Sequence, residues 1–554
     1  IWYDRILMVL DAWSFFYFAI ISFSIIQLAT KLQPIHIIVG AIGIVVLIEL
    51  CRRCVGLPIL VVLGLLLIYT FYNQLSWDPS FYKALKNIVY KLFYTTSGVI
   101  GTPVSVCYTY IVLFIIFGAF LERTGIANFF ISFANRLAGW SSGGPAKVAV
   151  ISSALCGMVS GSSVGNTVTT GSVTIPMMKK TGYKPEFAGA VEAAASTGGQ
   201  IMPPIMGAAA FLMAEYMNIP YAKVAVKAIL PAVLYFTGIF IAVHLEAKKL
   251  GLKGMPKSEM VSWGELAKRA YLIIPLALLI FLVSSGSRTM QFSAAVSILA
   301  AIVVGFLNKD ERLTFGKIVE ALEAGAKGAI TVAVACAMAG MIAGCITVTG
   351  LASILINAIV QMAGDATMIG LLLTMICCII LGMGVPTTAN YCIMASTCAP
   401  ILVQMGFPLV AAHFFVFYFG IVADITPPVA LAAYAGAAIA KANPMKTGIN
   451  ATKLAIAAFI VPYIFAYSPA MLFDNVSSAF EVVQIVVSAL IGLFGVAAAL
   501  NGFVYKKIPM LFRLAMAAGG LCMMIPGTAS DVVGLVMVGG IVLIQRMSAR
   551  RLAA

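Results

Sequence analysis

The residues best suited to chemistry are two asparagines, Asn166 and Asn390, each embedded in a run of Gly, Ser, Thr and Pro. Neutral amide, hydroxyl and backbone carbonyl oxygens suit a hard cation such as sodium, particularly where a membrane helix is interrupted. Small polar residues in membrane helices more often serve close packing, so we assign Ser152, Ser153 and Thr174 to packing. The two asparagines are interpreted as functional because both lie beside forced helix breaks.

A second interrupted segment follows each asparagine and carries adjacent prolines, Pro203-Pro204 and Pro427-Pro428. Proline lacks a backbone donor and clashes with the preceding turn, so two in succession unwind a helix. Unwound carbonyls and helix C-terminal ends attract cations, whereas helix N-terminal ends attract anions. We therefore predict one sodium site in each half of the chain. The predicted ligands are Ser162, Ser163, Gly165, Asn166, Gly198 and Gly199 in the first half and Pro386, Thr387, Thr388, Asn390, Ala423 and Asp424 in the second.

Asp424 is the acidic residue most suited to function, because it lies within a break and acids at that depth are usually functional. It needs a positive partner, either bound sodium or a lysine from another span, unless it only pins the broken helix. We assign Glu192 and Glu215 to structural pairing or snorkelling. No arginine lies inside either broken run, so amides, hydroxyls and helix ends are expected to hold a carboxylate substrate. The predicted substrate contacts are Asn166, Thr167, Gln200, Pro203, Asn390, Thr426 and Pro427.

These features recur 224 positions apart, and one detail reverses between the copies. The turn after the first copy reads KKTGYK, whereas the matching turn reads VQMGFP and carries no charge. Basic loops stay cytoplasmic, so the copies are expected to enter the membrane from opposite sides. Paired, interrupted hydrophobic segments in two inverted halves indicate a secondary transporter. The matched pairs are Asn166 with Asn390, Pro176 with Pro400, Gly182 with Gly406, Pro203-Pro204 with Pro427-Pro428, and Gln200 with Asp424.

Composition places the chain in a membrane: it is 62% hydrophobic and 10% charged, with a mean hydropathy of +1.04. This predicts an all-α polytopic membrane protein. The net charge of +15 lies mainly in short loops, which favours topology determinants over nucleic-acid binding. The sequence holds no Walker GxxxxGK[ST], HExxH or GxSxG motif, so we predict neither an enzyme nor a cofactor other than sodium as coupling ion. A lone CxxC at Cys51 and Cys54 has no second pair to complete a metal site.

The hydrophobic runs divide the chain into a small bundle at 1–98, a repeat region at 99–473 and extra spans at 474–554. The copies cover about 99–245 and 326–473. Neither broken run splits into two full spans, so each is predicted to form a re-entrant hairpin, whose open backbone must be satisfied by protein, water or ligand. Segment 73–98 is either an interfacial amphipathic helix or a further span. The predicted spans are 6–27, 34–51, 55–72, 99–121, 221–245, 269–285, 290–307, 326–350, 451–473, 482–503, 508–527 and 530–547.

Four motifs carry a family resemblance: GSSVGNTVTTGSVTIPMMKKTGY, GGQIMPPIMGAAAFLMAEY, GMGVPTTANYCIMA and ADITPPVALAAYAGAAIAK. Over 99–473 the chain resembles the large membrane subunit of tripartite ATP-independent periplasmic (TRAP) transporters. The preceding bundle looks like a fused small subunit, and the fusion and extra C-terminal spans resemble the TAXI subtype.

The resemblance implies a sodium-coupled importer in the bacterial inner membrane. It also implies that a periplasmic TAXI-type binding protein delivers a small organic acid, and that an elevator mechanism moves the hairpins and broken helices against a scaffold. Two other functions remain open on the sequence: a stand-alone anion/sodium symporter, and a channel or non-transporting scaffold. Because the chain begins at Ile1 rather than Met, no expectation about a signal peptide follows.

Overall fold

The computed structural model describes residues 2–28, 32–256, 260–364, 366–525 and 527–553, and it is built from helices. Residues 257–259, in the basic loop before α13, lie outside the described part, as do Ile1 and Ala554 of the two terminal regions. The first four helices are α1 (Trp2–Leu28), α2 (Pro34–Cys54), α3 (Leu57–Trp77) and α4 (Phe81–Phe93).

The first copy of the repeat has eight helices, with a π-helical turn, Cys107–Ile111, between the first two. They are α5 (Thr102–Val106), α6 (Val112–Arg123), α7 (Ile126–Ala138), α8 (Gly144–Ser160), α9 (Ser163–Lys180), α10 (Pro185–Gly198), α11 (Ala208–Met217) and α12 (Tyr221–Lys249). Three helices connect the copies: α13 (Trp263–Arg269), α14 (Ile274–Ser285) and α15 (Met290–Leu307).

The second copy begins with one long helix and ends beside three further helices. Its elements are α16 (Phe315–Thr349), α17 (Leu351–Ala363), α18 (Thr367–Gly382), α19 (Thr387–Thr397), α20 (Ala399–Gln404), α21 (Leu409–Val422), α22 (Leu431–Ala440), α23 (Pro444–Leu454) and α24 (Ile456–Tyr467). The C-terminal helices are α25 (Ala479–Asn501), α26 (Met510–Cys522) and α27 (Thr528–Ala553); α25 packs against α12 and α24, and α26 and α27 pack against α25 and each other.

Eleven helical segments of the described chain are long and apolar enough to cross a membrane. The prediction of an all-helical polytopic membrane protein is therefore confirmed. The predicted span 508–527 is wrong in length, because α26 has only 13 residues and the chain turns at both of its ends. Helix α4 also has 13 residues, about 20 Å against a hydrocarbon core of about 30 Å, so it is too short to span. Its apolar face packs against α2, α3 and α16.

The 224-residue spacing of the sequence also appears in the backbone. Helices α9 and α19 begin at Ser163 and Thr387, and α10 and α21 begin at Pro185 and Leu409. Left-handed backbone also recurs at matched positions: Gly182 (φ 102°) with Gly406 (φ 90°), and Met206 (φ 60°) with Ala430 (φ 38°).

Each copy contains two interruptions at the positions that the Gly and Pro residues predict. Helices α8 and α9, of 17 and 18 residues, are separated by Gly161 and Ser162. Helices α18 and α19 are separated by residues 383–386. The second interruptions lie at 202–207, after a short 3₁₀ turn, and at 423–430; the Pro203–Pro204 and Pro427–Pro428 peptide bonds within them are both cis.

The two copies are interlocked rather than placed side by side. Helix α10 packs against α9 of its own copy and against α22 of the other. At this crossing Gly189 and Gly436 bring the backbones together: a Cβ atom on Gly189 would lie 2.9 Å from the carbonyl oxygen of Gly436. The buried apolar side chains form one continuous cluster that includes residues of α2, α6, α10, α16 and α21.

Replacing Gly189 by alanine is therefore expected to lower the melting temperature, because the new methyl group meets backbone that cannot rotate away. Overpacking of this kind costs about 1–3 kcal/mol. Gly64 is a matched control, since it also lies inside a helix and a Cβ atom there would meet nothing within 4 Å. Gly64→Ala should be neutral or stabilising, by up to about 1 kcal/mol. Equal melting temperatures for both variants would contradict the close crossing of α10 and α22.

Candidate ion and substrate site

A cavity of about 650 Å³ lies where the interruptions of both copies meet. The first copy contributes the α8–α9 connection and Gln200, and the second contributes Gly384, residues 386–388 and Asp424. The opposite wall is formed by side chains of α6 and α16, including Phe114 and Thr331. The cavity thus has walls from both copies, and it is large enough for a small organic molecule.

The predicted first-copy ligands cluster at the N-terminal turn of α9. The Ser162 hydroxyl caps this helix by accepting a hydrogen bond from the Gly165 amide at 3.1 Å. Asn166 is buried, and its Nδ2 donates to the Ser153 carbonyl oxygen at 3.0 Å and to the Ser196 hydroxyl at 3.1 Å. These bonds use both hydrogens of the side-chain amide and fix the orientation of the side chain.

Glycines allow the end of α10 to approach the α8–α9 pair closely. A Cβ atom on Gly157 would lie 2.6 Å from the Cα atom of Gly199. A Cβ atom on Gly198 would lie 2.2 Å from the Tyr235 ring, so this position also excludes a side chain. Of the predicted ligands, Gly199 thus packs against Gly157, where a Cβ atom would also lie 3.1 Å from Asn166 Nδ2, and Gly198 packs against Tyr235 of α12.

The second-copy site contains a buried amide oxygen without a hydrogen-bond partner. Asn390 lies in the first turn of α19, and its Nδ2 donates to the Gly420 carbonyl oxygen at 2.9 Å. Its Oδ1 is buried and makes no hydrogen bond within the described structure. Gly382 lies against this side chain and against Ala423: a Cβ atom on Gly382 would lie 2.6 Å from Asn390 Nδ2 and 3.0 Å from the Cβ atom of Ala423. Unpaired buried acceptors are rare in proteins, and this oxygen is available to a cation.

The two asparagines use equivalent positions of their copies. Asn166 bonds Ser196, and Asn390 bonds Gly420, which is 224 positions further on. Thr387 and Thr388 follow Pro386 at the N-terminus of α19, as Ser163 begins α9. Thr387 and Thr388 line the cavity with Pro386, whereas both asparagines lie behind its wall.

Asp424 links the second copy to the first. The Ser163 hydroxyl donates to Asp424 Oδ2 at 2.5 Å, and both residues are buried. The carboxylate therefore lies next to the N-terminal end of α9, the positive end of the helix dipole. No ion pair to Asp424 occurs in the part of the chain that the structure describes. Gln200, its repeat mate, also lines the cavity, and its Oε1 is buried without a partner.

The seven predicted substrate contacts do not lie in one place. Gln200 lines the central cavity, whereas Asn166, Thr167 and Asn390 are buried outside it. The remaining three lie elsewhere: Pro203 lines a separate cleft of about 130 Å³, Thr426 donates to the Val422 carbonyl oxygen at 2.8 Å, and Pro427 packs against Gly448.

Sequence reasoning missed Glu122, which lines the central cavity from α6. In the sequence Glu122 stands beside Arg123 at the end of an apolar run, which is typical of a charge at a helix end, and Arg123 forms a 2.6 Å ion pair with Glu320. Adjacent residues of a helix point in different directions, so the sequence did indicate that Glu122 points away from the Arg123 side chain. With Asp424, Glu122 gives the cavity two carboxylates and no basic side chain among its described lining residues.

Comparison with known proteins finds one matching family and several similar proteins. Residues 42–480 match the family model of the tripartite ATP-independent periplasmic transporter, DctM component. The chain is 29% identical over 232 residues to the C4-dicarboxylate TRAP transporter large permease protein DctM of Vibrio cholerae, covering 42% of this chain and 47% of the relative. It is 23% identical over 362 residues to the 2,3-diketo-L-gulonate TRAP transporter large permease protein YiaN of Escherichia coli, covering 64% and 83%. It is 25% identical over 193 residues to the sialic acid TRAP transporter large permease protein SiaM of Vibrio cholerae, covering 35% and 45%.

The family match and the partial matches differ in extent. The chain spans 47% of the length of the DctM proteins of Vibrio cholerae and of Pseudomonas aeruginosa. The family model covers more than half of the chain and includes both asparagines and all four interruptions. Together with the candidate spans, it confirms a multi-pass protein of the bacterial inner membrane. The chain belongs to the DctM component family of tripartite ATP-independent periplasmic transporters.

Proposed function

We propose that the chain is the membrane component of a secondary importer that uses sodium to take up a small organic acid delivered by a periplasmic binding protein. The observation that carries this proposal is the cavity at which the interruptions of both copies meet, with a buried asparagine behind each wall. Interrupted helices at a repeat interface are the usual location of substrate and coupling-ion sites in secondary transporters.

Sodium is supported by the donor atoms around each asparagine. The unpaired Asn390 Oδ1, with nearby hydroxyls at Thr387 and Thr388 and carbonyl groups at the end of α21, provides oxygen ligands. The first copy offers Asn166 with hydroxyls at Ser162 and Ser163. Such neutral oxygen sets suit a sodium ion, and we propose one sodium site in each copy.

An organic-acid substrate is supported by the named relatives and by the helix ends. The relatives carry names for C4-dicarboxylate, diketogulonate and sialic acid transport. Helices α9 and α19 both begin at the cavity, so their free N-terminal amides can face a carboxylate. Because the described lining has two carboxylates and no basic side chain, bound sodium would supply the compensating positive charge.

The proposed mechanism is an elevator, in which the interlocked interruptions move together. Contacts that join the copies include the Gly189–Gly436 crossing, the Ser163–Asp424 hydrogen bond, and a 2.8 Å bond from Lys179 Nζ to the Ala440 carbonyl oxygen. Helices α6 and α16, which form the opposite wall of the cavity, pack on each other, and α16 also packs on α2 and α3. This division supports a moving unit of hairpins and broken helices against a scaffold.

The TAXI subtype and a fused small subunit remain proposals. The match to the DctM component model begins at residue 42, inside the bundle at 1–98. The three helices after residue 474 are consistent with the extra C-terminal spans of the TAXI subtype. The predicted partner is accordingly a TAXI-type periplasmic binding protein.

The inverted orientation of the copies predicts opposite accessibility of two matched turns. Lys180 and Gln404 are 224 positions apart, end α9 and α20, and are both exposed. With Lys180→Cys and Gln404→Cys in separate variants that lack the exposed Cys54, a membrane-impermeant thiol reagent should label position 404 from outside intact cells and position 180 only after lysis. Labelling of both positions from the same side would contradict the inversion.

Uptake by the purified chain in proteoliposomes tests the proposed function. Succinate, 2,3-diketogulonate and sialic acid serve as probes, with an inward sodium or potassium gradient and with or without a periplasmic TAXI-type binding protein. Uptake that requires both sodium and the binding protein supports the proposal. Sodium-dependent uptake without the binding protein supports the stand-alone symporter, and flux that neither saturates nor responds to sodium supports a channel.

A further inference from the structure

A fully buried carboxyl group lies at the centre of the first copy, outside the cavity. Glu192 on α10 has no exposed surface. Hydroxyl groups from three helices converge on it: Ser153 of α8, Thr170 and Thr174 of α9, and Ser196 of α10, the last at 3.2 Å. The sequence analysis expected structural pairing or snorkelling for this residue, yet the structure gives it neither an ion pair nor contact with the surface within the described chain.

The second copy shows that the fold does not need this polar cluster. The positions 224 residues beyond the carboxyl group and its four hydroxyls hold only apolar or thiol side chains or glycine. They are Val416 for Glu192, Cys377 for Ser153, Met394 for Thr170, Cys398 for Thr174 and Gly420 for Ser196. Val416 is fully buried in its copy, as Glu192 is in the first. The carboxyl group and its hydroxyls therefore serve something other than the shared architecture.

No basic side chain balances a charge on Glu192. Helix α9 has no acid or base between Ser163 and Met178, and on α8 the nearest titratable group is Cys156. On α12, Tyr235 uses its hydroxyl to donate to the Ala194 carbonyl oxygen at 2.6 Å. The lysines nearby in sequence or packing lie at helix ends: Lys147 Nζ is 2.9 Å from the Ser141 hydroxyl, Lys179 binds a carbonyl oxygen of α22, and Lys446 and Lys453 of α23 are exposed.

A buried, ionised carboxylate without a positive partner costs several kcal/mol, and a proton removes that cost. A sodium ion would need room between the oxygens, whereas the four hydroxyls hydrogen-bond to the carboxyl oxygens directly. Thr170 Oγ1 also lies 2.7 Å from the Asn166 carbonyl oxygen, so it can donate there and accept the hydrogen bond of a protonated carboxyl group. We propose that Glu192 is a proton-binding site, neutral in the conformation described here, and that sodium binding beside Asn166 releases its proton.

The link to sodium, which rests on the proposed function, runs through two hydroxyl groups, those of Ser196 and Thr170, each of which contacts both Asn166 and Glu192. Asn166 Nδ2 donates to Ser196 Oγ at 3.1 Å, and Ser196 Oγ donates to Glu192 Oε1 at 3.2 Å. Glu192 itself hydrogen-bonds to none of the predicted sodium ligands. A positive charge placed beside Asn166 favours the ionised form of a carboxyl group so close to it. The proton then leaves to water, and the carboxylate remains held by its hydroxyl donors.

Infrared difference spectroscopy of the purified full chain tests the proton site. Wild-type protein minus Glu192→Gln at neutral pH is expected to show the carbonyl band of a protonated carboxyl group. Glu215→Gln is the matched control, because Glu215 is exposed on α11 and should give no such band. Absence of the band from the Glu192→Gln difference spectrum overturns the proposal.

Sodium addition to the wild-type chain tests the link without any variant, so poor folding of Glu192→Gln would not decide the matter. Sodium chloride, but not choline chloride, is expected to remove the band and to release protons to a pH-indicator dye. A sodium-dependent rise in melting temperature with no loss of the band overturns the inference and leaves the sodium proposal intact. If sodium does not raise the melting temperature, the sodium proposal fails, the proposed link to Glu192 fails with it, and the Glu192→Gln band alone decides the proton site.

Discussion

Replacing Asn390 by alanine is expected to raise the sodium concentration needed for thermal stabilisation by at least about tenfold, the size of effect typical of lost metal-site support. The amide oxygen of Asn390 is buried without a hydrogen-bond partner, so a bound cation is the interaction that the substitution removes. A ligand that binds only the folded chain raises its melting temperature. Melting curves over a sodium series, with potassium as the reference salt, measure the change.

Asn166→Ala is expected to act in the same way on the first copy, because Asn166 occupies the matched turn of α9. Asn87→Ala is a suitable control, since Asn87 is exposed on α4 and far from both turns in the chain. Loss of the Asn166 hydrogen bonds to Ser153 and Ser196 should also lower the melting temperature without sodium. Sodium responses equal to that of the wild type in both asparagine variants would remove these residues from the sodium sites.

Replacing Asp424 by asparagine is the second substitution with a large expected effect. It keeps the shape of the side chain but removes the charge that accepts the Ser163 hydrogen bond at 2.5 Å. Hydrogen bonds to charged groups contribute about 1.5–3 kcal/mol, which corresponds to about tenfold or more in an equilibrium constant. We therefore expect Asp424→Asn to raise the half-saturating sodium concentration more than Gln200→Ala does, because Gln200 is neutral.

The alternative role of Asp424 gives a different result. If the carboxylate only holds the broken helix against α9, Asp424→Asn should lower the melting temperature equally with and without sodium. A double-mutant cycle with Ser163→Ala separates the two roles, since it measures the coupling of the pair directly. A sodium-dependent shift in Asp424→Asn equal to that of the wild type would make Asp424 a structural residue.

The interruptions could be predicted from the sequence because proline and glycine act on the backbone locally. Pro203-Pro204 and Pro427-Pro428 lie within the non-helical segments of the structure, and the turns at Gly182 and Gly406 have left-handed backbone. The 224-residue spacing placed both asparagines in equivalent first turns for the same reason. The prediction of a span at 508–527 was wrong because hydropathy does not detect where the chain turns, and α26 is shorter than the apolar run.

Contacts between the copies could not be predicted, because they depend on packing between distant segments. Ser163 and Asp424 are 261 positions apart, and their hydrogen bond requires α9 and the second interruption to meet. Glu122 was missed since its helix end faces the cavity. The Glu192 cluster did have a signal: five polar positions of the first copy match apolar or thiol residues or glycine in the second. Residues that are identical in the two copies indicate the asparagines, whereas residues that differ between the copies indicate the carboxyl group.

We propose that each copy binds sodium at its asparagine. Equilibrium binding of radioactive sodium to the purified chain, measured by scintillation proximity, tests it without knowledge of the substrate. We expect saturable binding that unlabelled sodium displaces and potassium does not. We also expect partial loss in Asn166→Ala and in Asn390→Ala, with no specific binding in the double variant. Absence of saturable binding by the wild type, or full binding by the double variant, would contradict this proposal.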